Sequence, residues 1–100
     1  MRKALSKNEI INLIKAEKSF LKETFGVLNI GLFGSYAKDQ QTPDSDIDLL
    51  VEFAEPRFDW IAGLNIYMEK KLERKIEIIR KRTLSKSRFF ERIEQETIYV

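Results

Sequence analysis

Two carboxylates, Asp46 and Asp48, open the apolar run Ile47 to Phe53, and ten residues earlier another apolar run breaks off in Gly34-Ser35. If Ile47 to Phe53 is a strand, its side chains alternate between faces. Ile47, Leu49, Val51 and Phe53 then share a core face. Asp46 and Asp48 share the other, about 7 Å apart along the strand. Carboxylates held this way repel each other unless a cation lies between them. The chain contains no His and no Cys, so disulfides and thiolate sites are excluded and any metal must sit on oxygen. That favours Mg²⁺, Mn²⁺ or Ca²⁺.

The Gly34-Ser35 break suits a phosphate. A strand that ends in Gly and passes into a helical turn leaves backbone N–H groups pointing outward. Gly admits close approach of a ligand, and the Ser hydroxyl adds a donor. By itself the dipeptide is also an ordinary turn. A third acid, Glu77, interrupts the apolar run Lys75 to Arg80, with Ile76 and Ile78 on one face and Glu77 and Ile79 on the other. An edge strand showing one face to water accounts for it. So does a neighbouring strand that brings Glu77 onto the face of the aspartates. In the second case Asp46, Asp48 and Glu77 form a carboxylate set of the kind that holds two metal ions for phosphoryl-type transfer. Charge neutralisation and in-line positioning would supply most of the catalysis, and Glu77 could take the proton from the nucleophile.

Two rival motifs fail. Asp44, Asp46 and Asp48 with Glu55 imitate a calcium loop, but the sixth place needs Gly and holds Leu49. The Asp46-Ile47-Asp48 triplet also resembles the manganese motif of some glycosyltransferases, whose nucleotide-sugar fold is far larger than one hundred residues.

The elements that must position these residues are legible in order. Ser6 to Phe25 reads as a helix, with Ser6 and Glu9 in a capping-box pattern and Ile10, Leu13, Ile14, Leu21 and Phe25 on one face, Phe20 at its edge. Gly26 is its stop. Val27 to Phe33 reads as an interior strand, Ser35 to Lys38 as a short helical turn, and Asp39 to Asp44 as a loop. After the strand Ile47 to Phe53, a helix from Phe58 or Asp59 to Leu72 carries the stripe Ile61, Leu64, Met68 and Leu72, flanked by Trp60 and Tyr67. Gly63 inside it costs roughly 1 kcal/mol relative to Ala. Glu69, Lys70, Lys71, Glu73 and Arg74 form a solvated end. Lys75 to Arg80 is a strand, and Lys81 to Ser87 a basic connection. Arg88 to Glu96 is a short helix with Phe89, Phe90 and Ile93 inward, and Thr97 to Val100 is a β-like tail. This order predicts an α/β (α+β) fold: a small mixed sheet of three to four strands flanked by helices, in one domain spanning 1–100. The first two long strands are joined by a hairpin-like return, and the helix between the second and third supports a crossover.

Composition sets the remaining bounds. A net charge of +2 calls for no nucleic-acid partner, and direct DNA binding is not expected. No apolar run approaches a membrane span, and Met1-Arg2-Lys3 leads into a polar helix start rather than a signal-peptide core, so a cytoplasmic location is expected. Arg74, Lys75, Arg80, Lys81, Arg82, Lys86, Arg88 and Arg92 make the last third basic, which reads as solvated surface or as contact with an acidic partner or nucleotide phosphates. Lys38 reads equally as a solvated residue or as one reaching a triphosphate. Trp60 and Tyr67 read as core, although Phe58 and Trp60 could form a partner-facing patch.

Gly34-Ser35, ten intervening residues and Asp46-Ile47-Asp48 resemble the G-S-x10-D-x-D signature of the DNA polymerase β-like nucleotidyltransferase superfamily. The string GLFGSYAKDQQTPDSDIDLLVEF and the ending IEQETIYV resemble its minimal nucleotidyltransferases, single-domain antitoxins paired with HEPN-domain ribonuclease toxins, over nearly the whole chain. The resemblance implies a nucleoside triphosphate donor, ATP, with its phosphates at Gly34 and Ser35. It implies Mg²⁺, as two ions, on Asp46, Asp48 and Glu77, and transfer of AMP to a tyrosine hydroxyl of the HEPN partner. This chain departs from the family pattern at Asp39, where many relatives have Gly after a basic residue, and at Glu77, where Asp is usual. A non-catalytic module that neutralises the partner by binding alone is the alternative expectation, and transfer to a small-molecule hydroxyl a third.

Overall fold

The computed structural model describes residues 5–81 and 87–100. Helix α1 (Lys7–Phe25) starts where the Ser6 hydroxyl accepts the Glu9 N–H at 3.1 Å, and stops at Gly26. Strand β1 (Val27–Phe33) passes into a single helical turn, α2 (Gly34–Ala37), and the chain returns as β2 (Ile47–Phe53). Helix α3 (Phe58–Leu72), strand β3 (Ile76–Arg80), helix α4 (Arg88–Glu96) and strand β4 (Ile98–Tyr99) complete the order.

The four strands form one mixed sheet in the order β3-β2-β1-β4. β1 and β2 are antiparallel, as the hairpin-like return predicted, and Phe33 lies opposite Asp48. β2 and β3 are parallel, with Ile47 opposite Ile76 and Asp48 opposite Glu77. A parallel pair needs a crossover, and α3 makes it. β4 closes the far edge against β1, Gly31 facing Tyr99.

The two faces of the sheet are chemically unlike, because alternation sorts the side chains. On one face Ile30, Leu32, Ile47, Leu49, Val51 and Ile76 are buried against Ile10, Ile14 and Leu21 of α1 and Leu64, Met68 and Leu72 of α3. Each such side chain stabilises the fold by roughly 1.5–3 kcal/mol relative to exposure. Gly63 sits in α3 because a Cβ there would press to 2.7 Å from the Phe25 ring. Tyr67 packs on Phe20 and Phe25, with centroids 4.9 and 5.8 Å away, and its hydroxyl donates to Glu17. Tyr67 therefore belongs to the α1–α3 layer, as predicted. Trp60, also on α3, lies partly exposed under the Arg57 guanidinium.

Three expectations need correction. Arg74 is not part of a solvated end: it is 6% exposed, its guanidinium donating to the Glu73 carbonyl. Phe89 does not point inward. It is 61% exposed, and the α4 stripe rests on Ile93 instead. The helical turn after β1 begins at Gly34 rather than Ser35. Most of the basic connection, including Arg82 and Lys86, and the Met1-Arg2-Lys3 start lie outside the described residues. Among the described residues no helix is long and apolar enough to cross a membrane.

Candidate active site

The other face of the sheet carries the chemistry. Asp48 on β2 and Glu77 on β3 are direct partners in the parallel ladder, so both side chains project from the same face. The edge-strand reading of Glu77 and the carboxylate-partner reading both hold, since β3 is an edge strand and Glu77 is exposed beside Asp48. Asp46 lies one residue before β2. Its charge still reaches Asp48.

The electrostatics of the pair are visible in Asp48. Its carboxyl is pushed up from an ordinary 3.8 to about 6, first by burial, then by the Glu77 charge and hydrogen bonding with Glu77, and last by the Asp46 charge. A proton shared between neighbouring carboxylates relieves their repulsion, and a cation would do the same.

Gly34 completes this corner. It lies at φ 76°, in the left-handed region that favours glycine. A Cβ there would collide with Asp48 Oδ2. The strand-to-helix turn and the carboxylate are thus packed with no side chain between them, and only glycine fits. Ser35 follows on α2, half-buried, its carbonyl accepting the N–H groups of Lys38 and Gln40 at 3.2 and 2.9 Å. Asp39 takes φ 56°. That is the backbone a glycine would adopt, so the turn keeps the shape Gly allows, with Asp among the residues that tolerate it.

These residues open into a cleft of about 380 Å³. The strands and the turn after β1 line it with Phe33, Gly34, Lys38, Asp48, Glu77 and Ile79, and α4 lines it with Phe89, Arg92, Ile93 and Glu96. Lys38 Nζ and Glu96 Oε1 form an ion pair at 3.0 Å that joins α2 to α4 across it. Ser35 and Asp46 flank the cleft rather than line it. Sequence reasoning did not single out Phe89 or Ile79 for the site, and it left Arg92 in a basic set read either as solvated surface or as contact with an acidic partner or nucleotide phosphates. The signal in each case was a helical or strand face whose partner only the folded chain supplies.

The donor set suits a hard divalent cation. The candidate donors at the site are all carboxylate oxygens, two of them in register, with the Asp48 carboxyl raised to about 6 by burial first and by Glu77 second. Among the described residues no three acidic side chains converge closely enough to enclose an ion on their own. A cation here would complete its shell with other oxygens, as Mg²⁺ does with water and substrate phosphates.

A glycine turn against a carboxylate pair on the open face of a small mixed sheet is the arrangement of a nucleotidyltransferase. The sequence pattern of the nucleotidyltransferase domain family matches residues 14–100, and the chain belongs to that family. A Methanocaldococcus jannaschii protein provisionally named a protein adenylyltransferase is 40% identical over 96 residues, covering 93% of this chain and 96% of its own length. Protein adenylyltransferase MntA of Thermococcus cleftensis is 37% identical over 97 residues, covering 96% and 97%. A solved structure provisionally described as a minimal nucleotidyltransferase superposes with a TM-score of 0.79 at 30% identity, covering 97% of this chain and 98% of its own. A toxin–antitoxin structure solved with AMP-PNP shares the fold, with a TM-score of 0.66 at 23% identity over 95% of this chain and 72% of that one.

Proposed function

We propose that this chain transfers AMP from ATP to a tyrosine hydroxyl of a HEPN-domain ribonuclease toxin and so acts as its antitoxin. The observation that carries the chemistry is the Asp48–Glu77 pairing beside Gly34 on the open face of the sheet. Support for the acceptor class comes from the two near-full-length relatives named as protein adenylyltransferases.

In this reading Gly34 and Ser35 would bind the triphosphate, and Asp46, Asp48 and Glu77 would hold Mg²⁺ together with water and phosphate oxygens. The bound metal supplies charge neutralisation for the triphosphate and the departing pyrophosphate. The chain's own residues do the rest. The Gly34 turn lets phosphate oxygens approach the backbone where any side chain would stand in the way. The tyrosine oxygen attacks the α-phosphorus, a P–O bond to tyrosine forms, and the bond to the leaving pyrophosphate breaks in line. The hydroxyl proton passes to the Glu77 carboxylate. Glu77 is one methylene longer than Asp, and its ladder position opposite Asp48 keeps it within the same corner.

The test combines the protein with labelled ATP, Mg²⁺ and a HEPN partner. One AMP or more should appear on a partner tyrosine, by intact-mass and peptide analysis. Asp46→Asn and Asp48→Asn should each abolish the label while leaving a folded chain. Neutralisation of the partner with no label from the wild type would overturn transfer in favour of binding alone. Label on free aminoglycosides without a partner would point to a small-molecule acceptor.

A further inference from the structure

The cleft has apolar lining that a triphosphate and metal do not use. Its carboxylate corner accounts for Gly34, Asp48 and Glu77, whereas Ile79, Phe89 and Ile93 offer a phosphate nothing. We propose that α4 is the nucleoside wall of this cleft, with Phe89 as the platform on which the nucleobase stacks and Arg92 as the cation between base and phosphates. The inference rests on the nucleotidyltransferase reading above and extends it to the half of the substrate that no motif residue addresses.

Six observations converge on it. Gly34 and the α4 side chains Phe89, Arg92 and Ile93 line one and the same cleft, so a ligand whose phosphates lie at Gly34 meets α4 within it. The volume of about 380 Å³ falls in the range of small-molecule sites, roughly 300–1,000 Å³. Phe89 is 61% exposed in the cleft yet braced: Phe90 meets it edge-on, centroids 5.6 Å apart at 81°. The start of α4 is capped by the Ser87 hydroxyl, which accepts the Phe90 N–H at 3.2 Å, while Ile93 is buried and holds the helix down. Phe58 is more exposed, at 82%, but does not line the cleft. Arg92 stands three residues from Phe89, one helical turn along the same face. The Lys38–Glu96 pair pins the far end of α4 to the turn after β1.

A platform of this kind accepts any base, because every base has a π-face, and an aromatic is worth enough to show in affinity. The test is calorimetric binding of ATP, GTP and inorganic tripolyphosphate, each with Mg²⁺, to the wild type, Phe89→Ala and Phe89→Trp. Phe89→Ala should weaken ATP and GTP about tenfold, equivalent to about 1.4 kcal/mol, and leave tripolyphosphate unchanged. Phe89→Trp should keep nucleotide affinity. Melting temperatures of the two variants serve as the fold control.

Equal weakening of ATP and tripolyphosphate, or unchanged ATP affinity in Phe89→Ala, overturns the proposal. Unchanged ATP affinity with slowed transfer overturns it too, and assigns Phe89 to the acceptor. A wild type that binds neither ATP nor tripolyphosphate removes the nucleotide reading itself and this wall with it, an outcome distinct from a wild type that binds ATP and a Phe89→Ala variant that binds it equally well.

Discussion

Asp48 is where the sheet and the chemistry meet, and its proton affinity predicts a pH dependence. In the metal-free protein its carboxyl is raised to about 6 from 3.8, by burial first and Glu77 second. A carboxyl raised on folding favours the protonated state. Its contribution to stability is therefore full below 3.8 and is lost as pH rises through about 6. The metal-free wild type should be more stable at pH 5 than at pH 8 by about 1 kcal/mol, after discounting for solvent screening. Asp48→Asn should flatten that difference in urea titrations at the two pH values. Mg²⁺ should raise the melting temperature of the wild type at pH 8 and not that of Asp48→Asn, because only the charged form attracts the cation. A variant with the same pH difference as the wild type would show that Asp48 is not its source.

Gly34 permits a sharper substitution. Ala there meets both a left-handed backbone, costing about 1–2 kcal/mol, and a collision with the Asp48 carboxylate. Gly34→Ala should lower stability by at least that amount and reduce tripolyphosphate affinity in calorimetry. The same residue type elsewhere in a loop would do neither.

At the scale of the element, α3 ends without the usual glycine. Its cap, Glu73, stands at φ 53°. Glu73→Gly removes the Cβ penalty of that conformation and should stabilise the chain by roughly 0.5–1 kcal/mol, offset in part by greater freedom of the unfolded chain. Chemical denaturation reads it directly, and a destabilised variant would mean that the Glu73 side chain, rather than its backbone, matters. The capped start of α4 tests the cleft wall in a different way. Ser87→Ala loses the bond to the Phe90 N–H and should cost about 1 kcal/mol. Its effect on ATP affinity should exceed its effect on tripolyphosphate, since the cap lies at the Phe89 end of the cleft.

For the molecule as a whole, the sheet divides labour between its faces. One face is hydrophobic and buried under α1 and α3, and the other carries Asp48 and Glu77 beside the buried Leu50 and is partly walled by α4. Stability and chemistry should therefore be separable. Leu64→Ala, at a position with no exposure, should cost about 2–5 kcal/mol while the fraction that remains folded binds ATP with wild-type affinity. Loss of affinity in that folded fraction would show that the two faces are coupled.

Much of this was legible in the residues because short-range rules govern it. Capping at Ser6 and periodicity along α1 and α3 are local, and so is the alternation that puts Asp48 opposite the core face of β2. The spacing of Gly34-Ser35 to Asp46-Ile47-Asp48 marked the candidate corner for the same reason. A turn and a strand entrance are fixed by the residues that form them. What the chain order could not decide was which strands are neighbours. Glu77 is 29 residues from Asp48, and only the crossover through α3 sets them side by side in the ladder. The direction of Phe89 and the burial of Arg74 depend likewise on what α4 and the end of α3 meet in space. By itself, then, the sequence determined the elements, the buried face and half of the site. Tertiary structure decided the third carboxylate, the close fit of Gly34 against Asp48 and the aromatic wall of the cleft, because each is a contact between segments that no local pattern encodes.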